Sequence, residues 1–232
     1  MRFALRAALA LVVASGVCLA SAGCGSGSGG DPLASMTANQ VAARALGDLK
    51  SAPSFGISGT GVDGQGVLES MRLEFKHGTG CEGTVSWGSK GGLYLVVIGG
   101  TAWEKPDDAY WKAYEGKSAA QVIALIGGRY LKGSASDSYF APVAQVCDKF
   151  ASSFKVPKDV VKEDVTTVDG QRVVPLTDKK GTMDVTDTSS PRILRVTGIT
   201  AGISTGLVFT YSPVSLTAPP AGQTVDSTAL GF

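Results

Sequence analysis

Histidine is nearly missing from this chain, and His77 is the only one in 232 residues. A Ser-His-Asp centre would have to be built on it, and no G-x-S-x-G elbow accompanies it. His77 follows an alternating polar strand pattern and precedes Gly78 and Gly80, the setting of a solvated loop histidine. Only four cysteines are present, too few beside one histidine for a zinc centre once their other uses are counted. There is no P-loop, dinucleotide fingerprint or EF-hand loop. Asp107-Asp108 and Glu163-Asp164 are adjacent carboxylates, an arrangement that solvates a turn or a helix start. Excess charge of either sign is missing too: 21 Lys and Arg against 20 Asp and Glu. A near-neutral chain gives no footprint for nucleic acid. No catalytic residue, metal site or cofactor is therefore expected, and the chain reads as a non-enzyme.

The longest apolar run, residues 7–20, is too short to span a bilayer, which takes about 20 residues. Its setting is that of an export signal. Arg2 and Arg6 precede it, and small residues lead to Cys24 in Leu19-Ala20-Ser21-Ala22-Gly23-Cys24. This segment resembles the lipobox of bacterial lipoproteins, in which the cysteine thiol receives a diacylglycerol and the chain is cut before it. Ser21 departs from the Leu or Val usual at that position. An ordinary secretory signal and an uncleaved anchor are the other readings. Cys18 lies inside the apolar run, after β-branched Val17, and is a poor lipidation site. The expected organisation is a signal peptide at 1–23, a Gly/Ser-rich tether at 24–36, one domain at 37–220 and a loose tail at 221–232. The expected location is the extracytoplasmic face of the cell membrane.

Cys81 and Cys147 remain. Two cysteines in an exported domain point to a disulfide, with two buried thiols as the alternative.

Periodicity gives the fold class. Thr37 and Gln40 form a capping-box pattern ahead of Val41, Ala42, Ala45, Leu46 and Leu49. Met71, Leu73 and Phe75 alternate with charged residues as a half-buried strand, continued by Val85 and Trp87. Leu93 to Ile98 is apolar on both faces, either a covered central strand or a docking surface. Ser118 and Gln121 repeat the capping-box pattern before an apolar turn that Gly127-Gly128 ends. A further helix is predicted from Pro142, with Val143, Cys147, Phe150 and Phe154 on its inner face and Pro157 closing it. Strands are predicted at 160–168, 172–177, 182–186, 193–199 and 207–211, with turns at Asp169-Gly170 and 178–181. This order predicts an α+β fold, a large antiparallel sheet with helices on one face. Glycine is abundant, at 31 residues. Gly56, Gly59, Gly61 and Gly83 fall inside strand patterns, where glycine permits sharp bends.

Several stretches together resemble the actinobacterial lipoproteins of the LppX/LprAFG type, which have a LolA/LolB-like fold. They are Gly80 to Val85, Ala109 to Ala113 with Tyr110 and Trp111, and Gly128 to Lys132. They continue with Phe140 to Asp148, Val168 to Leu176, and Phe209 to Thr217. The resemblance implies a strongly curved half-barrel sheet with helices in its concave face and a hydrophobic cavity between them. Family members with known roles bind lipids or acylated glycolipids and help move them across the envelope. No catalytic motif carries over. Leu73, Phe75, Trp87, Val96, Trp111, Ile126, Phe150, Phe154, Leu207 and Phe209 are the candidate cavity residues, and for any one of them taken singly an ordinary filled core is the better reading. The expected partners are a lipid or glycolipid ligand and the membrane, reached through Cys24, with the chain a monomer. The second reading is an interaction module with a closed core that docks to an envelope protein, motivated by Leu93 to Ile98.

Overall fold

Thr37 starts the first helix, α1 (Ala38–Ser51), in a computed structural model that describes residues 31–62, 68–156, 158–200 and 203–230. The Thr37 hydroxyl accepts from the Gln40 N–H at 3.3 Å, and the Gln40 side chain accepts from the Thr37 N–H at 2.8 Å. These bonds satisfy two of the N–H groups that a helix start leaves open. Val41, Ala42, Ala45, Leu46 and Leu49 form the buried stripe.

From Ser54 the chain runs as an antiparallel meander: β1 (Ser54–Val62), β2 (Leu68–Lys76), β3 (Gly80–Ser86), β4 (Gly92–Ile98), β5 (Thr101–Pro106) and β6 (Tyr130–Ser134). The next strands are β7 (Val161–Lys162), β8 (Thr166–Val168), β9 (Gln171–Asp178), β10 (Gly181–Thr186), β11 (Ile193–Thr200) and β12 (Ile203–Thr210). Strand β12 pairs with β1 and joins the two halves into one sheet. The stretch predicted as one strand over 160–168 is two short strands, both paired to β9. The Asp169-Gly170 turn joins β8 to β9, with φ of 49° and 77° at its two residues. The sheet is open, curved and mixed, with 13 strands among the described residues.

The one parallel pairing among the described residues lies at an edge, where β13 (Thr224–Asp226) lies beside β6. The region read as a loose tail therefore supplies an edge strand. At the other terminus, part of the segment read as tether is fixed to the domain. Leu33 is fully buried, and the Lys162 ammonium donates to the carbonyls of Leu33, Ala34 and Met36 at 3.0–3.1 Å.

Glycine bends the sheet at β3. Gly80 and Gly83 have φ of 149° and 147°, values that favour glycine. A Cβ at Gly80 would run into the Val97 carbonyl, and one at Gly83 into the Arg72 carbonyl. Both neighbouring strands therefore approach β3 more closely than a side chain would allow.

Strand β4 is covered on both sides. Leu93, Leu95 and Val97 belong to the main core. Val96 points to the opposite face, in register between Glu82 and Trp103, and is 1% exposed. The segment linking β12 to β13 crosses there, with the Thr217 N–H donating to Glu82 Oε2 at 3.3 Å. Of the two readings of Leu93 to Ile98, the covered central strand is the one observed.

Three further helices complete the fold: α2 (Asp108–Glu115), α3 (Ala119–Ile126) and α4 (Ala141–Ser153). Asp107 caps α2, accepting from the Tyr110 N–H at 2.7 Å. Its other oxygen accepts from the Gly92 N–H at 3.0 Å, tying the helix to the start of β4. The predicted Ser118 capping box does not form. Residues 116–118 already make a 3₁₀ turn, so Ser118 has helical angles rather than the extended ones an N-cap needs.

Candidate functional site

Helix α4 roofs a hollow. Only Ala144 of its residues is fully buried. Val143, Val146, Cys147 and Phe150 point inward yet are only half-buried, because part of what they face is empty space. The hollow is a cavity of about 610 Å³ between α4 and the sheet. The sheet contributes Val62, Met71, Leu73 and Val85, with Trp87 just past β3. Helix α4 contributes Pro142, Val143, Val146 and Phe150, and Glu69 is the one carboxylate among the described residues of the lining. The volume falls within the roughly 300–1,000 Å³ of small-molecule sites, which are mostly apolar with few polar groups.

The roof is held at one point by a covalent bond. Cys81 of β3 and Cys147 of α4 form a disulfide with Cα atoms 5.2 Å apart, enclosing 66 positions of sequence. Beside it stand three phenylalanines. Phe55 and Phe75 are stacked at 4.5 Å between centroids, and Phe150 lies 5.1 Å from Phe75 and 6.3 Å from Phe55. Phe154 continues the row edge-on to Phe150 at 5.2 Å and to Phe209 at 5.8 Å.

Beyond that stack lies a second opening of about 480 Å³ with different chemistry. Phe55, Phe75, Cys147 and Ala151 form its apolar floor. Lys50, Lys76 and His77 line it, with Asp148 as the one acid among the described residues.

Of the ten candidate residues, Leu73, Trp87 and Phe150 line the apolar cavity. Phe75 lines the second opening instead. Trp111, Ile126 and Phe209 are buried in the filled core, and Phe154 and Leu207 pack against it half-buried. Val96 lies on the other face of the sheet, away from the cavity. The lining residues not named from sequence, such as Val146 and Val62, carry no mark that separates a wall from a packed interior. Cys24 lies outside the described residues.

One buried acid stands apart. Glu104 of β5 is 1% exposed, in register between Leu95 and Leu131. Its Oε1 has no hydrogen-bond partner among the described residues. Burial pushes its pKa up to about 8. Glu104 does not line the cavity. No metal-binding group of His, Cys, Asp and Glu occurs among the described residues, and no helix among them is long and apolar enough to cross a membrane.

The sequence matches no protein-family profile and no curated protein. Solved structures do match. LprF from Mycobacterium bovis aligns with a TM-score of 0.55 at 14% identity, covering 78% of this chain and 96% of that one. The lipoprotein LppX of Mycobacterium tuberculosis aligns at 0.49 and 11% identity, covering 78% and 98%. At such identities the likeness is one of fold. The chain is similar in fold to the mycobacterial lipoproteins of the LppX/LprAFG type, a LolA-like half-barrel.

Proposed function

We propose that the protein is a membrane-anchored extracytoplasmic lipoprotein that holds acyl chains of a lipid or acylated glycolipid in the cavity under α4, for transport within the envelope and without catalysis. The observation that carries this reading is the apolar cavity of about 610 Å³ under a half-buried helix. Each acyl CH₂ transferred from water to such a space contributes about 0.8 kcal/mol, so a dozen give roughly 10 kcal/mol before the cost of immobilising the chain. Few polar contacts are then needed. The stretch that motivated the protein-docking reading is largely covered, with Leu93, Leu95, Val96 and Val97 buried and Tyr94 and Ile98 half-buried.

Residues 31–232, secreted from an actinobacterial host, should carry a co-purifying lipid visible by native mass spectrometry. Val146→Trp puts an indole into the cavity and should cut lipid occupancy at least tenfold, while far-UV circular dichroism stays unchanged. A wild-type domain with no bound lipid, together with no uptake of added lipid, would sink the proposal.

The anchor is tested separately. Full-length Cys24→Ala should move from the membrane fraction to the soluble fraction, and a variant that stays with the membrane rules out a lipid anchor at Cys24.

A further inference from the structure

The apolar cavity and the second opening lie on either side of one aromatic stack. Phe150 lines the first, and its stacking partners Phe55 and Phe75 line the second. Helix α4 spans both. Its Val143, Val146 and Phe150 face the cavity, while Cys147, Asp148, Ala151 and Ser152 face the second opening.

The second opening is built unlike the first. Lys50 comes from the last turn of α1, Lys76 from the end of β2, and His77 from the turn that follows. None of the three side chains has a hydrogen-bond or ion-pair partner among the described residues. Asp148 is the one acid facing them among the described residues, one negative charge against two lysines. Below them the floor is aromatic and aliphatic. A cationic rim over an apolar floor suits a molecule with an anionic head and a greasy body. Positive side chains attract such a head through charge-assisted hydrogen bonds, which are roughly twice as strong as neutral ones.

We infer that this second opening is a headgroup site, which takes the phosphate or carboxylate of an acidic lipid whose acyl chains occupy the apolar cavity. Phe150 stands between head and chains. It is half-buried on α4 and stacked on Phe75 at 5.1 Å between centroids. The inference rests on the proposed lipid-binding function and deepens it by naming the class of lipid. It also gives Lys50 and Lys76 a role that no contact within the fold supplies.

The test uses the lipid-depleted domain, residues 31–232, with intrinsic tryptophan fluorescence, to which Trp87 in the cavity wall contributes, and native mass spectrometry as readouts. The probes are phosphatidylglycerol, diacylglycerol with the same chains, and inorganic phosphate. Phosphatidylglycerol should bind about tenfold more tightly than diacylglycerol, the scale of one charge-assisted contact. Lys50→Ala/Lys76→Ala should erase that difference and leave diacylglycerol binding unchanged. Both lysines are exposed, so the variant should fold normally. Equal binding of the two lipids by the wild type, or an unchanged preference in the variant, overturns the headgroup site and leaves the lipid-binding reading standing. Phosphate binding that needs the lysines, with neither lipid bound, keeps the anion site and overturns the lipid-binding reading. Absence of all three overturns both.

Discussion

Replacing Cys81 and Cys147 together with alanine is expected to lower the unfolding free energy by about 4 kcal/mol. The bridge encloses 66 positions of sequence, and closing a loop of that size removes much of the freedom of the unfolded chain. For a domain of about 200 residues the loss corresponds to a fall in Tm of roughly 8–16 °C. Calorimetry of the double variant against the oxidised protein measures it, and a shift below about 2 °C would refute it. The effect reaches the cavity as well. Helix α4 buries one residue fully and lies over empty space, so the apolar packing that fixes an ordinary helix is thin here. The disulfide supplies the missing restraint. Lipid occupancy of the variant should fall by more than its loss of folded protein, a difference that native mass spectrometry of the folded fraction resolves.

Glu104→Gln is expected to raise stability at pH 8 by a few kcal/mol and to leave it nearly unchanged at pH 4. The sign follows from the proton. In the folded protein burial raises the Glu104 pKa to about 8, whereas an exposed glutamate titrates near 4.5. Between those values the unfolded chain releases a proton that the folded chain keeps. Stability therefore falls as pH rises through that window and levels off above about 8. Each pH unit carries about 1.4 kcal/mol. The amide keeps the shape of the side chain and cannot ionise, so the variant loses this slope. Urea unfolding of both proteins at pH 4.5, 6 and 8 tests it, and parallel stability curves would rule it out. The Oε1 of this acid has no partner among the described residues to offset its burial.

Much of the fold was legible because its signals are local. Thr37 and Gln40 are three residues apart, and their two hydrogen bonds need only a helix start. Asp169-Gly170 makes its turn wherever the flanking strands pair. Strand β5 was not legible, for a reason that Glu104 makes plain. Its inner face reads Ala102, Glu104 and Pro106, and its large apolar residue, Trp103, lies on the other side. A period-two reading would turn that strand the wrong way. Ser118 misled in a simpler manner. The spacing to Gln121 was right, but the preceding turn was already helical.

The cavity shows the limit most clearly. Leu73, Trp87 and Phe150 line it, while Trp111, Ile126 and Phe209, chosen by the same criterion, are packed core. Hydrophobicity reports that a side chain leaves water and does not report what it meets on arriving. Val96 lies on the other face, beside Glu82, whose carboxylate accepts from the Thr217 N–H across 135 positions of sequence. Composition set the near-neutral charge, and patterns within about ten residues set the α+β class and most strand and helix positions. Only the tertiary structure decided which apolar residues enclose space, that Lys50, Lys76 and His77 gather at one opening, and that Glu104 lies inside. The first depends on how far α4 stands from the sheet, and the other two on which distant elements pack together, and no single stretch of the chain encodes either.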